Sequence, residues 1–140
     1  MRIIDREPER VATWMKTRGH FDYRPGSQCI GLEKDGVLVA GTMYDWFNGA
    51  SVYIHTAIDE INREYLWFCF YYPFEQLKAN VLIGLVGSKN LKAQRLDKHL
   101  GFQEFARIQG AHPDGELIIY TMEKRNCRWL HLKKPLKKAA

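Results

Sequence analysis

The 140-residue chain predicts a single α/β domain in which helices are layered on a sheet. Three observations carry this expectation. A short apolar run, Val81, Leu82, Ile83, Leu85 and Val86, breaks at Gly87-Ser88 and passes into helix-patterned sequence that stops at Gly101-Phe102. Two β-favouring runs flank Asp35-Gly36, a strong hairpin signal. Strand-like and helix-like segments then alternate along residues 1–130 without a repeat or an internal linker.

Arg2 to Ile4 reads as a first short strand, followed by Asp5 as a helix cap and Pro8 in the first turn of a helix reaching about Lys16. Val11, Trp14 and Met15 give that helix its apolar side. The next stretch, 18–27, holds Gly19, Pro25 and Gly26 and reads as a polar and aromatic loop. Cys29 to Leu32 and Val37 to Met43 are strands joined across Asp35-Gly36, and a turn at Phe47-Asn48-Gly49-Ala50 leads into a third strand, Ser51 to Thr56. Ile58 to Lys78 has strand-like composition around Tyr65 to Tyr72, but its length favours a buried helix that Pro73 kinks or ends. In the strand-turn-helix of 81–102, Ser88 or Asn90 can cap the helix, and Gly101 stands where a helix end needs a left-handed residue.

The net charge of +5 is unevenly distributed. From Glu123 onward there are seven Lys or Arg against one Glu, so residues 131–140 read as a basic, flexible tail on a nearly neutral body. Cys29, Cys69 and Cys127 lie far apart and form no C-x-x-C pair, which favours reduced thiols. Cys127 and His131 have a zinc-like spacing without a second ligand pair, so no metal site is expected. The start, MRIIDREPERVATW, lacks the apolar core of a signal peptide, and the densest apolar run is shorter than the roughly 20 residues that span a bilayer. A soluble, cytoplasmic protein is expected.

The order Val86, Asn90, Ala93, Leu96, Gly101, Phe102 resembles the signature of the GNAT superfamily of N-acetyltransferases, V-x-x-x-N-x-x-A-x-x-L-(Y)-x-x-x-G-F. The resemblance extends to a last hairpin over Phe102 to Tyr120 and a closing strand from Gly115 to Met122, and covers most of residues 1–130. Tyr72-Pro73-Phe74 and Cys127-Arg128-Trp129-Leu130 look most like small acetyltransferase-like proteins of bacteriophages and their hosts, which would put the protein in the host cytoplasm. The resemblance implies a mixed, mostly antiparallel sheet whose central parallel strands, Ser51 to Thr56 and Val81 to Val86, splay into a wedge for acetyl-CoA.

On that resemblance the backbone of His55, Thr56 and Ala57 would pair with pantetheine and polarise the thioester oxygen. Asn90 would bond the pantetheine arm, with Lys92 and Arg95 near the phosphates of the adenosine end. The pyrophosphate loop of the family, (Q/R)-x-x-G-x-(G/A), falls on 56–64, which contains no glycine. There Asp59 and Glu60 would repel a pyrophosphate, while Asn62 and Arg63 could replace backbone contacts with side-chain ones. Where the family has a tyrosine acid the chain has Asp97, which donates a proton at neutral pH only if burial raises its pKa. His55 is the candidate base, Tyr53 the alternative relay on the same strand face, and Glu60 a weaker option.

Two functions of different kind follow. One is transfer of an acyl group from coenzyme A to an amine acceptor by direct attack. The other is a catalytically degenerate binding module on this fold, engaging nucleic acid or a partner protein through the basic tail. Trp46, Phe47, Phe68 and Phe70 are further candidates for a dimer interface, although most such aromatics are core.

Overall fold

The computed structural model describes residues 1–19 and 21–132. Seven strands form one sheet in the order β1-β2-β3-β4-β5-β7-β6. They are β1 (Arg2–Asp5), β2 (Gln28–Lys34), β3 (Val37–Asp45), β4 (Ser51–Ile58), β5 (Val81–Gly87), β6 (Gln103–His112) and β7 (Gly115–Glu123), with helices α1 (Pro8–Lys16), α2 (Arg63–Tyr71) and α3 (Leu91–Leu100). All neighbours pair antiparallel except β4 and β5, which are parallel. That ladder holds for three residue pairs, Ser51–Val81 to Tyr53–Ile83, and then the two strands diverge. The mixed sheet with a central splayed pair is therefore present.

Strand alternation feeds two cores. Val11, Ala12 and Met15 of α1 pack with Cys29, Met43 and Ala57 on one face. On the other face α2, the end of α3 and Phe102 cover Ile30, Val52, Ile54, Leu82 and Ile118. The β2–β3 hairpin turns through Asp35 and Gly36, both at positive φ (55° and 86°), the geometry that the right-handed twist of a two-residue hairpin loop requires.

The segment expected to be helical from Ile58 differs. β4 continues to Ile58 because it pairs with β3 as far as Ala40, so the helix starts only after Asn62, whose side chain accepts the Tyr65 amide at 2.8 Å. At the other end Pro73 supplies no amide for the carbonyl of Cys69, and the Tyr44 hydroxyl donates to it instead. The chain answers the proline with a π turn over Tyr72–Gln76, closed by the Leu77 amide on Tyr72 O at 2.9 Å. Asp5 lies in β1 and not at a helix N-cap; its carboxylate accepts the amide of Glu7, the residue that does precede α1.

α3 is fixed at both ends by its own sequence. Asn90 accepts the Ala93 amide at 3.1 Å, and Gly101 takes the left-handed conformation at φ 108°. Downstream, Trp129 Nε1 donates to Leu100 O at 2.6 Å and Arg128 donates to His99 O. The Cys127-Arg128-Trp129-Leu130 stretch is thus a C-terminal cap that places a cation and two donors on the last carbonyls of α3. Of the expected basic tail, residues 133–140 lie outside the described residues.

Candidate functional site

Where β4 and β5 part, a cleft of about 700 Å³ opens between the strands, the loop after α1 and the first turns of α3. Beyond the Tyr53–Ile83 pair the facing edges of β4 and β5 have no partner strand among the described residues. Such edges present a row of backbone donors and acceptors, and a bound chain that runs along them completes their pairing. At the β5 end Gly87 makes room for the His112 ring, which lines the cleft and lies 2.6 Å from where a Cβ would stand.

One wall carries a histidine in a hydrogen-bonded chain. His55 Nε2 lies 3.0 Å from Asp45 Oδ2, and the other oxygen of that carboxylate accepts from the Ser27 hydroxyl. Asp45 and Ser27 are buried (6% and 3% exposed), and the Phe21 ring meets the imidazole edge-on at 6.5 Å. Burial lowers the His55 pKa below its ordinary 6.5 against the opposing pull of Asp45, so the ring is neutral at pH 7. With Nε2 donating to Asp45, Nδ1 is the nitrogen able to accept a proton. Trp46, directly after Asp45, holds a positive φ of 57°, and the Arg24 guanidinium covers its ring.

A second titrating group stands on α3. Asp97 lines the cleft and also a smaller cavity beneath it, and burial raises its carboxyl from 3.8 to about 7. Among the described residues no hydrogen-bond donor or cation offsets this. The condition under which an aspartate at this position carries a proton near neutral pH is met. Tyr120 packs close by, with its hydroxyl buried and unpaired among the described residues.

The charges on the rim differ from expectation. Asp59 is held by Arg18 through two bonds, at 2.7 and 3.2 Å, and Glu60 by Lys34 at 3.2 Å with Arg2 at 3.6 Å. The repulsion expected of these two carboxylates is largely neutralised. The cations lining the cleft are Arg18, which is bound to Asp59, and Lys89 and Lys92, either side of Asn90.

Of the candidate residues, the structure brings His55, Thr56, Ala57, Asn90 and Lys92 to the cleft. Tyr53 is a neighbour of Asp45 across the β3–β4 ladder, one step short of the cleft. Asn62 and Arg63 begin α2, and Arg95 and Glu60 also lie outside the cleft lining. Sequence reasoning did not single out Asp45, Ser27, Lys89 or His112. Asp45 escaped because β3 was expected to end at Met43, whereas it runs to Asp45 and sets that carboxylate diagonally opposite His55. Trp46 and Phe47 are exposed (65% and 43%), while Phe70 is core.

Solved structures share this architecture. The spermidine/spermine N-acetyltransferase SpeG of Vibrio cholerae superposes with a TM-score of 0.72 over 89% of this chain and 96% of that one, at 11% identity. The fold is that of the GNAT acetyltransferases. The N-acetyltransferase PseH of Campylobacter jejuni, in complex with acetyl coenzyme A, gives 0.63 over 89% and 99% at 13% identity. YncA of Salmonella typhimurium, in a structure with its cofactor acetyl-CoA, gives 0.65 over 87% and 93%, also at 13%. No family model matches the sequence, and no curated protein does. No described helix is long and apolar enough to cross a membrane.

Proposed function

We propose that the protein is an acyl-CoA-dependent N-acetyltransferase that moves its acyl group to an amine by direct attack. The observation that carries this is the pairing, in one cleft, of two unpartnered strand edges with a neutral histidine fixed by a buried carboxylate. The acetyl-CoA bound by PseH and YncA supports the choice of donor. Coenzyme A supplies an acyl group activated as a thioester. In this chain the open edge of β4 at His55 to Ala57 would align the pantetheine arm and offer an amide to the thioester oxygen. Lys89, Asn90 and Lys92 would receive the phosphates in place of a glycine-rich loop.

His55 Nδ1 takes the proton that the amine loses as its nitrogen bonds the carbonyl carbon. Asp45 is the positioning residue, holding the ring and stabilising the imidazolium that results. When the C–S bond breaks, the sulfur leaves with the electron pair and Asp97 would return a proton to it. The acceptor would enter from the side of Phe21 and Arg24, and the coenzyme points to the cytoplasm.

Isothermal calorimetry with coenzyme A and acetyl-CoA tests the reading directly: saturable binding is expected, and no heat at millimolar ligand would overturn it. The basic C-terminus favours a second reading, a binding module for nucleic acid. RNA or DNA retention that weakens with salt and vanishes on deleting residues 133–140 would support that alternative.

A further inference from the structure

Beneath the cleft, a cavity of about 30 Å³ opens between β4, β5, α2 and the end of α3. It shares Ile54, Thr56, Ile58, Gly84 and Asp97 with the cleft above, so the two adjoin. Its far end is closed by Tyr65, Cys69 and Phe70, exposed by 1%, 4% and 1%, and by Leu100 and Phe102. The hydroxyls at its far end are already paired, Thr42 Oγ1 with Tyr65 OH at 2.6 Å and Tyr65 OH with Ile30 O at 3.1 Å. Apart from Asp97 and Thr56, which it shares with the cleft, the void is lined by hydrocarbon and satisfied polar groups, and such a surface holds water poorly and accepts an apolar guest. Since one water needs about 10–15 Å³ on this measure, the space admits about two carbon atoms and no more.

At the mouth stands Gly84. A Cβ built there would meet Asp97 Oδ2 at 3.6 Å and Tyr120 Cβ at 3.9 Å, both ordinary contacts. The backbone there does not need glycine, since its φ is not in the left-handed region, and packing does not forbid a methyl group. Lining both spaces, Gly84 puts no side chain between cleft and cavity.

We infer that this cavity is the pocket for the acyl group, that Gly84 sets its width, and that the protein prefers a three- or four-carbon acyl-CoA over acetyl-CoA. This rests on the acyl-CoA reading above and adds the identity of the transferred group. The carbonyl stays at the β4 edge while the one or two further carbons of a propionyl or butyryl chain descend past Gly84 toward Cys69 and Leu100. Each methylene that leaves water there gains about fourfold in affinity. An eight-carbon chain meets the closed end and is rejected.

Calorimetry with free coenzyme A and with its acetyl, propionyl, butyryl and octanoyl thioesters tests this on the wild-type protein. Propionyl-CoA and butyryl-CoA are expected to bind about 4- to 16-fold more tightly than acetyl-CoA, and octanoyl-CoA more weakly than butyryl-CoA. In Gly84→Ala, and more so in Gly84→Val, the propionyl-to-acetyl ratio falls toward one. Equal affinity for the two- to four-carbon thioesters, octanoyl-CoA binding as tightly as butyryl-CoA, or a preference that survives Gly84→Val overturns the pocket. If free coenzyme A binds while chain length has no effect, the pocket fails and the donor assignment stands; if coenzyme A does not bind, both fall.

Discussion

Replacing Asp97 by Asn tests the electrostatics of the cleft through stability alone, independently of any ligand. The native carboxyl titrates near 7 and the unfolded one near 3.8, because folding removes it from water without supplying a cation. The native state therefore binds this proton more tightly than the unfolded state. The associated stability is complete below pH 4, where both states are protonated, and is lost progressively as pH rises to about 7. At 1.36 kcal/mol per tenfold change the full difference is about 4 kcal/mol, and water entering the cleft screens it to about 2 kcal/mol. Asn keeps the size and carries no charge, so it has no such slope. Urea unfolding of both proteins at pH 4.5 and pH 8 gives the comparison, with the other titrating groups cancelling in the difference. Because part of the difference is already lost at pH 4.5, Asp97→Asn should gain about 1.5 kcal/mol on wild type between the two pH values and be the more stable protein at pH 8. A difference that is the same at both pH values, or a variant that loses ground at pH 8, refutes the argument.

The remaining predictions concern the proposed reaction and the helix that frames it. His55→Gln should lower kcat for acyl transfer about 100-fold or more, with little change in coenzyme A affinity by calorimetry. Asp45→Asn should leave the histidine without the partner that supports its charged form, so the acid limb of the kcat/KM profile moves to lower pH, a displacement that loss of packing alone would not produce. Lys89→Ala with Lys92→Ala should weaken coenzyme A binding by up to about tenfold at low salt and flatten its salt dependence. Asn90→Ala removes the acceptor of the Ala93 amide and should cost about 1 kcal/mol in chemical denaturation, whether or not Asn90 also meets a ligand.

What was legible in the sequence is what local chemistry decides. Asp35-Gly36 can only turn tightly, Asn90 and Gly101 bracket α3, and the run from Val81 to Val86 has no amphipathic alternative as a strand. Parts fixed by pairing at a distance were not legible. Nothing in Thr56-Ala57-Ile58 says that the strand continues past Thr56; the register with β3 decides it, and it moves the start of α2 from Ile58 to Arg63. The same register brings Asp45 to His55 from outside the expected strand. Asp97 is the converse. Its position one residue after Leu96 was evident, but its protonation depends on how deeply α3 presses it between β4 and β5, a property of packing.

The glycine-free stretch 56–64 can be weighed in the same terms. A glycine-rich loop binds a pyrophosphate because its bare amides converge on the anion. Here the first turn of α2 is differently committed: Asn62 occupies the Tyr65 amide, and the Asp59 and Glu60 amides both reach Val39 O, at 2.7 and 3.0 Å. Two backbone donors of that stretch, and the Tyr65 amide just after it, are therefore used within the chain, and the carboxylates of Asp59 and Glu60 are held by Arg18, Lys34 and Arg2. What the 56–64 side lacks in free donors, the other side of the cleft holds as cations, Lys89 and Lys92 at the positive end of α3. On the proposed reading, attraction for the phosphates shifts from backbone amides to lysine side chains. Amide contacts are short and resist screening, whereas exposed lysines are screened within about 10 Å at 0.1 M salt. Coenzyme A affinity should therefore fall more steeply with ionic strength in this protein than in one whose phosphate loop is glycine-rich, and a flat salt response would return the phosphates to the amides of 56–64.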